Sequence, residues 1–293
     1  MVMFTKKLIS LSTTYLLFCL LFLTASVSYA EDTNLTLHSG GCKTEYYLIK
    51  DLLSAYDSQR KVQDSESKAL KIGNKKAVNL LLQKKIDFAF TCKPIQKLAK
   101  KLNLNEVEIS TWESIPIAKD PIVIVSNTKN GVDNISKEQL ADIFQRKIKN
   151  WKTLGGKKLK IRSFYLSPKV QSGILPLFEE FIGAKLSKHS KTKNKPSALG
   201  ELVSKIPGSI TFMAFNSYRE DYGKLLSIDG VKPSTKTILS GEYPLSTTYY
   251  LTIDSNSEDR DEDRMKTVSD FVDFCLSKKG KKEIQKKYIP YSK

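Results

Sequence analysis

The feature that most constrains this chain is an alternation. Short apolar runs over residues 35–37, 87–91, 121–126, 161–166, 209–215 and 247–253 read as buried strands, and the segments between them repeat apolar residues every three or four positions. Leu48, Ile49, Leu52, Leu53 and Tyr56 make one such helical stripe; Val78, Leu81 and Leu82 make another. A helix between successive strands is the usual route joining parallel neighbours, so the pattern predicts an α/β fold with largely parallel sheets. In that class a ligand meets the loops and helix starts beyond the carboxyl ends of the strands.

Residues 1–30 stand apart. Lys6 and Lys7 precede an uncharged stretch whose densest part, residues 15–23, is almost wholly apolar, and Ser28-Tyr29-Ala30 puts small residues where a signal peptidase reads. A cleaved export signal is expected; the alternative is an uncleaved anchor, because the run is long enough to span a bilayer. Cleavage removes two lysines and no acid, taking the net charge from +17 to +15. Cys19 lacks the preceding small residues of a lipoprotein signal. The remaining Cys42, Cys92 and Cys275 are odd in number, so one pair at most can bridge. Cys275 falls on the apolar stripe of residues 268–276 and reads as a small buried hydrophobe.

The 293 residues, 40% of them hydrophobic, suffice for one large or two ordinary domains. Ser136-Lys137-Glu138-Gln139 has the capping-box form and opens a helix through Leu140, Ile143 and Phe144. Residues 185–196, rich in Lys, Ser and Thr, and residues 254–264, with six acids, read as solvated loops. Ser172 lies in no Gly-x-Ser-x-Gly elbow, His189 sits in a lysine-rich loop, and neither a P-loop nor a zinc motif occurs. No enzyme activity, cofactor, metal or nucleic-acid partner is therefore expected. The basic surface suits an anionic membrane, an envelope polymer or a partner protein.

Three loops place small residues and free amides at helix starts, the arrangement that holds an oxyanion. They are His38-Ser39-Gly40-Gly41-Cys42-Lys43-Thr44, then Ile72-Gly73-Asn74-Lys75-Lys76-Ala77-Val78 with its following strand and Thr91-Cys92-Lys93-Pro94, and Gln171-Ser172-Gly173. Also present are Pro121-Ile122-Val123-Ile124-Val125-Ser126-Asn127, Gln139-Leu140-Ala141-Asp142-Ile143-Phe144, Lys147-Ile148-Lys149-Asn150-Trp151, Ile206-Pro207-Gly208-Ser209-Ile210 and Tyr288-Ile289-Pro290. In this order the chain resembles the phosphate-binding proteins of bacterial ABC transporters, a branch of the type 2 periplasmic binding proteins. The resemblance implies a two-lobed α/β fold with a hinge of two crossing strands: residues 31–124 and 246–293 in lobe 1, residues 125–245 in lobe 2. It implies a periplasmic protein that captures phosphate or a related oxyanion for a membrane ABC permease.

Carried over position by position, the resemblance implies ligand contacts from Cys42, Lys43, Thr44, Asn74, Cys92, Lys169, Ser172 and Gly173. Three departures stand out. Cys92 replaces a carboxylate that accepts the proton of phosphate, Ile174 replaces a threonine, and the arginine expected before Ser172 is missing, leaving Pro168 and Lys169. Lys43, Lys75, Lys76, Lys93 and Lys169 either restore attraction for an anion or belong to a generally basic surface. Cys42 and Cys92 fall in loops that share one ligand, so a disulfide, a metal or redox site with His38, or two independent thiols are the alternatives. These departures leave a second function open, a non-transport interaction or sensory module in the envelope.

Overall fold

The computed structural model describes residues 35–61, 66–104, 107, 109–167, 174–255 and 261–292. The expected signal segment, and Lys169, Ser172 and Gly173, lie outside the described residues. The first half of the chain runs β1 (His38–Gly41), α1 (Tyr46–Arg60), β2 (Lys68–Leu70), α2 (Asn74–Leu82), β3 (Phe88–Thr91), α3 (Ile95–Leu102) and β4 (Trp112–Ser126). It continues through β5 (Asn134–Ile135), α4 (Lys137–Phe144), β6 (Arg162–Leu166), α5 (Ile174–Ile182), β7 (Lys191–Lys193), α6 (Pro196–Lys205) and β8 (Ser209–Ala214). The last part is β9 (Lys224–Leu225), β10 (Ser227–Ile228), α7 (Thr235–Ser240), β11 (Ser246–Asp254), α8 (Glu262–Leu276), α9 (Lys278–Gln285) and β12 (Ile289–Pro290).

The main sheet runs β2-β1-β3-β11-β4-β8-β6-β7, with β9 and β12 also on β4, while β5 and β10 pair separately. Its flanks are parallel, as alternation predicts: β1 with β2 and β3, and β6 with β7 and β8. Its middle is antiparallel, because β4 and β11 are long strands crossing the molecule in opposite directions beside each other and beside β3 and β8. The expectation of largely parallel sheets is corrected to a mixed sheet.

Three local readings also change. The first strand is not residues 35–37: Leu37 is wholly buried, but pairing begins at His38 opposite Lys68 and Ser39 opposite Phe88. The glycine-rich run that reads as a loop is the strand itself, and its glycines answer to packing. A Cβ on Gly41 would lie 1.8 Å from the Phe90 carbonyl oxygen. In the lysine-rich segment, Lys191–Lys193 is an edge strand on β6, where charged side chains discourage pairing with another chain. The acidic segment ends in helix, with Asp261 accepting from the Arg264 N–H at 3.1 Å and Glu262 and Asp263 in the favourable first turn.

The capping box forms as expected: the Gln139 N–H donates to Ser136 Oγ at 3.1 Å and the Ser136 N–H to Gln139 Oε1 at 2.9 Å. Buried side chains divide into two groups. Leu37 to Ala118, with Tyr249 to Ile284, fill the cores around β1, β3 and α1; Ile122 to Leu245 fill those around β8, α4 and α5, where Phe178 stacks on Phe212. The changeover therefore falls within β4, between Ala118 and Ile122, and between Leu245 and Tyr249 near the start of β11. Cys275 is fully buried on α8. No described helix is long and apolar enough to cross a membrane.

Candidate functional site

β1 and β3 end side by side, and that places the first two anion loops together. Gly41 pairs with Phe90, the Cys42 N–H donates to the Phe90 carbonyl at 2.9 Å, and the Gly73 N–H donates to the Gly41 carbonyl at 2.7 Å. The chain then turns from β1 into α1 through Cys42, Lys43, Thr44 and Glu45, and enters α2 from Gly73. Gly73 holds φ +83°, the left-handed region that a side chain disfavours, and this sharp entry makes Asn74 the first residue of α2. Neither α1 nor α2 has a side chain capping its start. Their leading amides carry the positive end of each helix dipole.

Within this corner Cys42, Thr44, Asn74 and Cys92 converge. Cys42 Sγ lies 3.1 Å from Thr44 Oγ1, and Asn74 Nδ2 donates to Cys92 Sγ at 3.3 Å. The Asn74 Oδ1 atom is buried and has no hydrogen-bond partner. The three described cysteines are free thiols, and Cys42 and Cys92 lie close enough for each thiol to shift the pKa of the other. Of the pair, Cys42 is the more acidic. The Cys92 thiol donating to it, helped against burial by the Thr44 hydroxyl and the N–H groups of Thr44 and Glu45, lowers its pKa to about 6. Cys92, holding the shared proton in a buried place, is raised. The Cys42 sulfur thus sits on donors an oxyanion would use.

Two acids that the sequence reading did not select stand beside it. Glu45 is wholly buried with both carboxyl oxygens unpartnered; burial first, and the Cys42 charge second, push its pKa well up. Asp120, on β4, accepts from the Tyr249 hydroxyl at 2.6 Å, and burial pushes it up to about 6 despite that bond. The available signals were a glutamate at an otherwise uncharged helix start and an aspartate interrupting an apolar strand.

The cations are less concentrated here than the sequence suggests. Lys93 is engaged with Glu180 on α5 at 2.6 Å, and Lys43, Lys75 and Lys76 are exposed. Among the described residues no group of three or more His, Cys, Asp or Glu is placed to hold a metal ion. His38, Cys42 and Cys92 accordingly do not form a metal centre.

A mixed sheet crossed by two long strands, buried side chains in two groups, and amide-rich helix starts gathered at strand ends define the type 2 periplasmic-binding-protein architecture. The chain belongs to the PBP superfamily, whose domain description matches residues 27–279. Among curated proteins it is similar to the phosphate-binding protein PstS of Bacillus subtilis, 38% identical over 121 residues that cover 41% of this chain and 39% of that protein. It is also similar to PstS of Staphylococcus aureus, 27% identical over 212 residues, 70% of this chain and 63% of that protein. The matches thus span less than two thirds of these relatives' own length. Among solved structures, an ABC-type phosphate transport receptor from Vibrio cholerae superposes with a TM-score of 0.72 at 23% identity, over 87% of this chain and 99% of that one. PstS from Borrelia burgdorferi does so with 0.70 at 21%, over 88% and 99%. These structures share the fold.

Proposed function

We propose that this protein is a non-enzymatic receptor that captures phosphate, or a closely related oxyanion carrying a proton, outside the cytoplasm and delivers it to a membrane ABC permease. The observation that carries this reading is the start of α2. Uncapped amides there offer donors to anionic oxygens, while the buried, unpartnered Asn74 Oδ1 asks for a donor in return. A monohydrogen or dihydrogen phosphate satisfies both demands and sulfate, which has no proton at neutral pH, satisfies only the first. Asn74 thereby takes over the acceptor role that Cys92 performs poorly. Thr44 supplies a hydroxyl, Lys43 supplies long-range attraction, and Lys169, Ser172 and Gly173 close the site from the second lobe, with β4 and β11 as the hinge.

Calorimetry on refolded, ligand-free protein tests this. Phosphate is expected to bind at least tenfold more tightly than sulfate, and Asn74→Ala to abolish that preference while weakening phosphate. No heat from phosphate, sulfate or phosphonates overturns the capture reading.

A second reading, an envelope interaction module, has its own support. A cavity of about 450 Å³ on the second half of the molecule is lined, among the described residues, by Arg146, Lys160, Arg162, Lys191 and Lys193 with His189, and by no acid. Its charge suits a polyanion.

A further inference from the structure

We propose that Cys42 and Cys92 form an oxidisable dithiol built into the anion site, and that closing it into a disulfide raises the site's affinity for an oxyanion. The affinity half of this proposal rests on the capture reading above; the chemistry of the pair does not.

The geometry comes first. Cys42 directly follows Gly41, and Cys92 stands two residues beyond Phe90, the register partner of Gly41 on the neighbouring strand. Adjacent strands run about 4.8 Å apart and the one-residue offset between Cys42 and Cys92 adds about 3.3 Å along the strand, a separation of about 5.8 Å that falls within the Cα range of about 4.4–6.8 Å that a disulfide spans. The two thiols are close enough to shift each other's pKa, and backbone hydrogen bonds from Cys42 to Phe90 and from Gly73 to Gly41 hold both loops in place. Cys275 is fully buried on α8. The more acidic member of the pair is also the more buried one, at 7% exposure, so the oxidant that fits is small. A hydroperoxide meets that requirement.

The Cys42 thiolate attacks the terminal oxygen of the hydroperoxide; the O–O bond breaks, Cys42 becomes a sulfenic acid, and the departing oxyanion takes up a proton. The Cys92 thiol then attacks the Cys42 sulfur. An S–S bond forms, the S–O bond breaks, and the leaving hydroxide departs with the Cys92 proton as water. Counted from two thiols, the protein loses two electrons and two protons, and the peroxide is reduced to an alcohol, or to water when it is hydrogen peroxide, with one further water.

The consequence for binding is electrostatic. In the reduced protein the thiolate occupies the Thr44 hydroxyl and the amides of Thr44 and Glu45, and repels a second anion. The other described groups around it are Cys92 and Asn74 from the neighbouring loops, Glu45, Asp120 on β4, and Tyr249 on β11, while the adjacent Lys43 is exposed. A disulfide is uncharged and a weak acceptor, so it releases those donors.

The exported protein is reduced, freed of reductant and ligand, and treated with stoichiometric hydrogen peroxide. Intact mass should fall by two hydrogens without added oxygen, and peptide mapping should join Cys42 to Cys92 and leave Cys275 free. Phosphate should then bind at least tenfold more tightly than to the reduced form. In Cys92→Ser the sulfenic acid on Cys42 should persist and be captured by dimedone, while Cys42→Ser should leave Cys92 unmodified at the same dose. A bridge that does not form, a bridge to Cys275, or an affinity unchanged or lowered by oxidation overturns the proposal. A bridge that forms while neither form binds phosphate upholds the dithiol and refutes the capture reading.

Discussion

Asp120 sits between Lys119 and Pro121, just before the buried apolar half of β4, and its surroundings leave a signature in the pH dependence of stability. Its folded value of about 6 lies above the ordinary 3.8, so the native state favours the neutral acid. The penalty is absent below the unfolded value and complete above the folded one, and stability from this group falls as pH rises across that window. A shift of this size corresponds to an upper limit of about 3 kcal/mol. Asp120→Asn, whose amide oxygen can still accept from Tyr249, should show a smaller loss of stability over that window in urea denaturation; an unchanged profile would assign the pH dependence elsewhere. At this scale the sequence is informative where a residue type has a fixed job. Thr44 and Asn74 are legible as residues at helix starts, because small polar side chains there are a sequence-readable signal. Glu45 and Asp120 are not, since their character comes from burial beneath elements that are distant in sequence.

The lesson differs for elements. Periodicity locates α1, α2, α4 and α5 because each helix buries one stripe whatever its neighbours are. The strands are harder, and β1 shows why. His38-Ser39-Gly40-Gly41 has no apolar alternation, because the space above it belongs to Phe90 and Ile72. That crowding predicts the effect of Gly41→Ala. The atom met at 1.8 Å is a backbone oxygen in a central strand and cannot swing aside, so the substitution should cost about 3 kcal/mol. Chemical denaturation measures it, and a cost below about 1 kcal/mol would show that β1 and β3 are not tightly paired. The mixed direction of the sheet was equally hidden: β4 and β11 are recognisable as strands, but which strands they lie against is set by the fold and not by their own residues.

At the scale of the whole molecule, the formal charge of +17 is spread unevenly. Five cations converge on one cavity with no acid among its described lining residues, whereas Lys93, near the anion site, is engaged with Glu180. If the cavity is a docking surface, binding to long-chain inorganic polyphosphate should weaken steeply with salt, and Arg162→Glu with Lys191→Glu should reduce it at least tenfold while phosphate affinity stays the same. Equal binding by the variant would make the attraction a diffuse property of the surface and remove the support for an interaction module. Anionic vesicles bound in preference to polyphosphate would count against the polymer in the same way.

The two groups of buried side chains also bear on the order in which the molecule can assemble. Residues 122–245 contribute the buried side chains of the second half without interruption, whereas the first half waits for Tyr249, Leu251 and the side chains of α8. As the chain is delivered from its amino terminus, its middle can therefore consolidate while the amino-terminal strands, delivered earliest, remain unfinished until the last fifty or so residues arrive. The candidate anion corner, built on β1 and β3, is on this account among the last parts of the protein to mature.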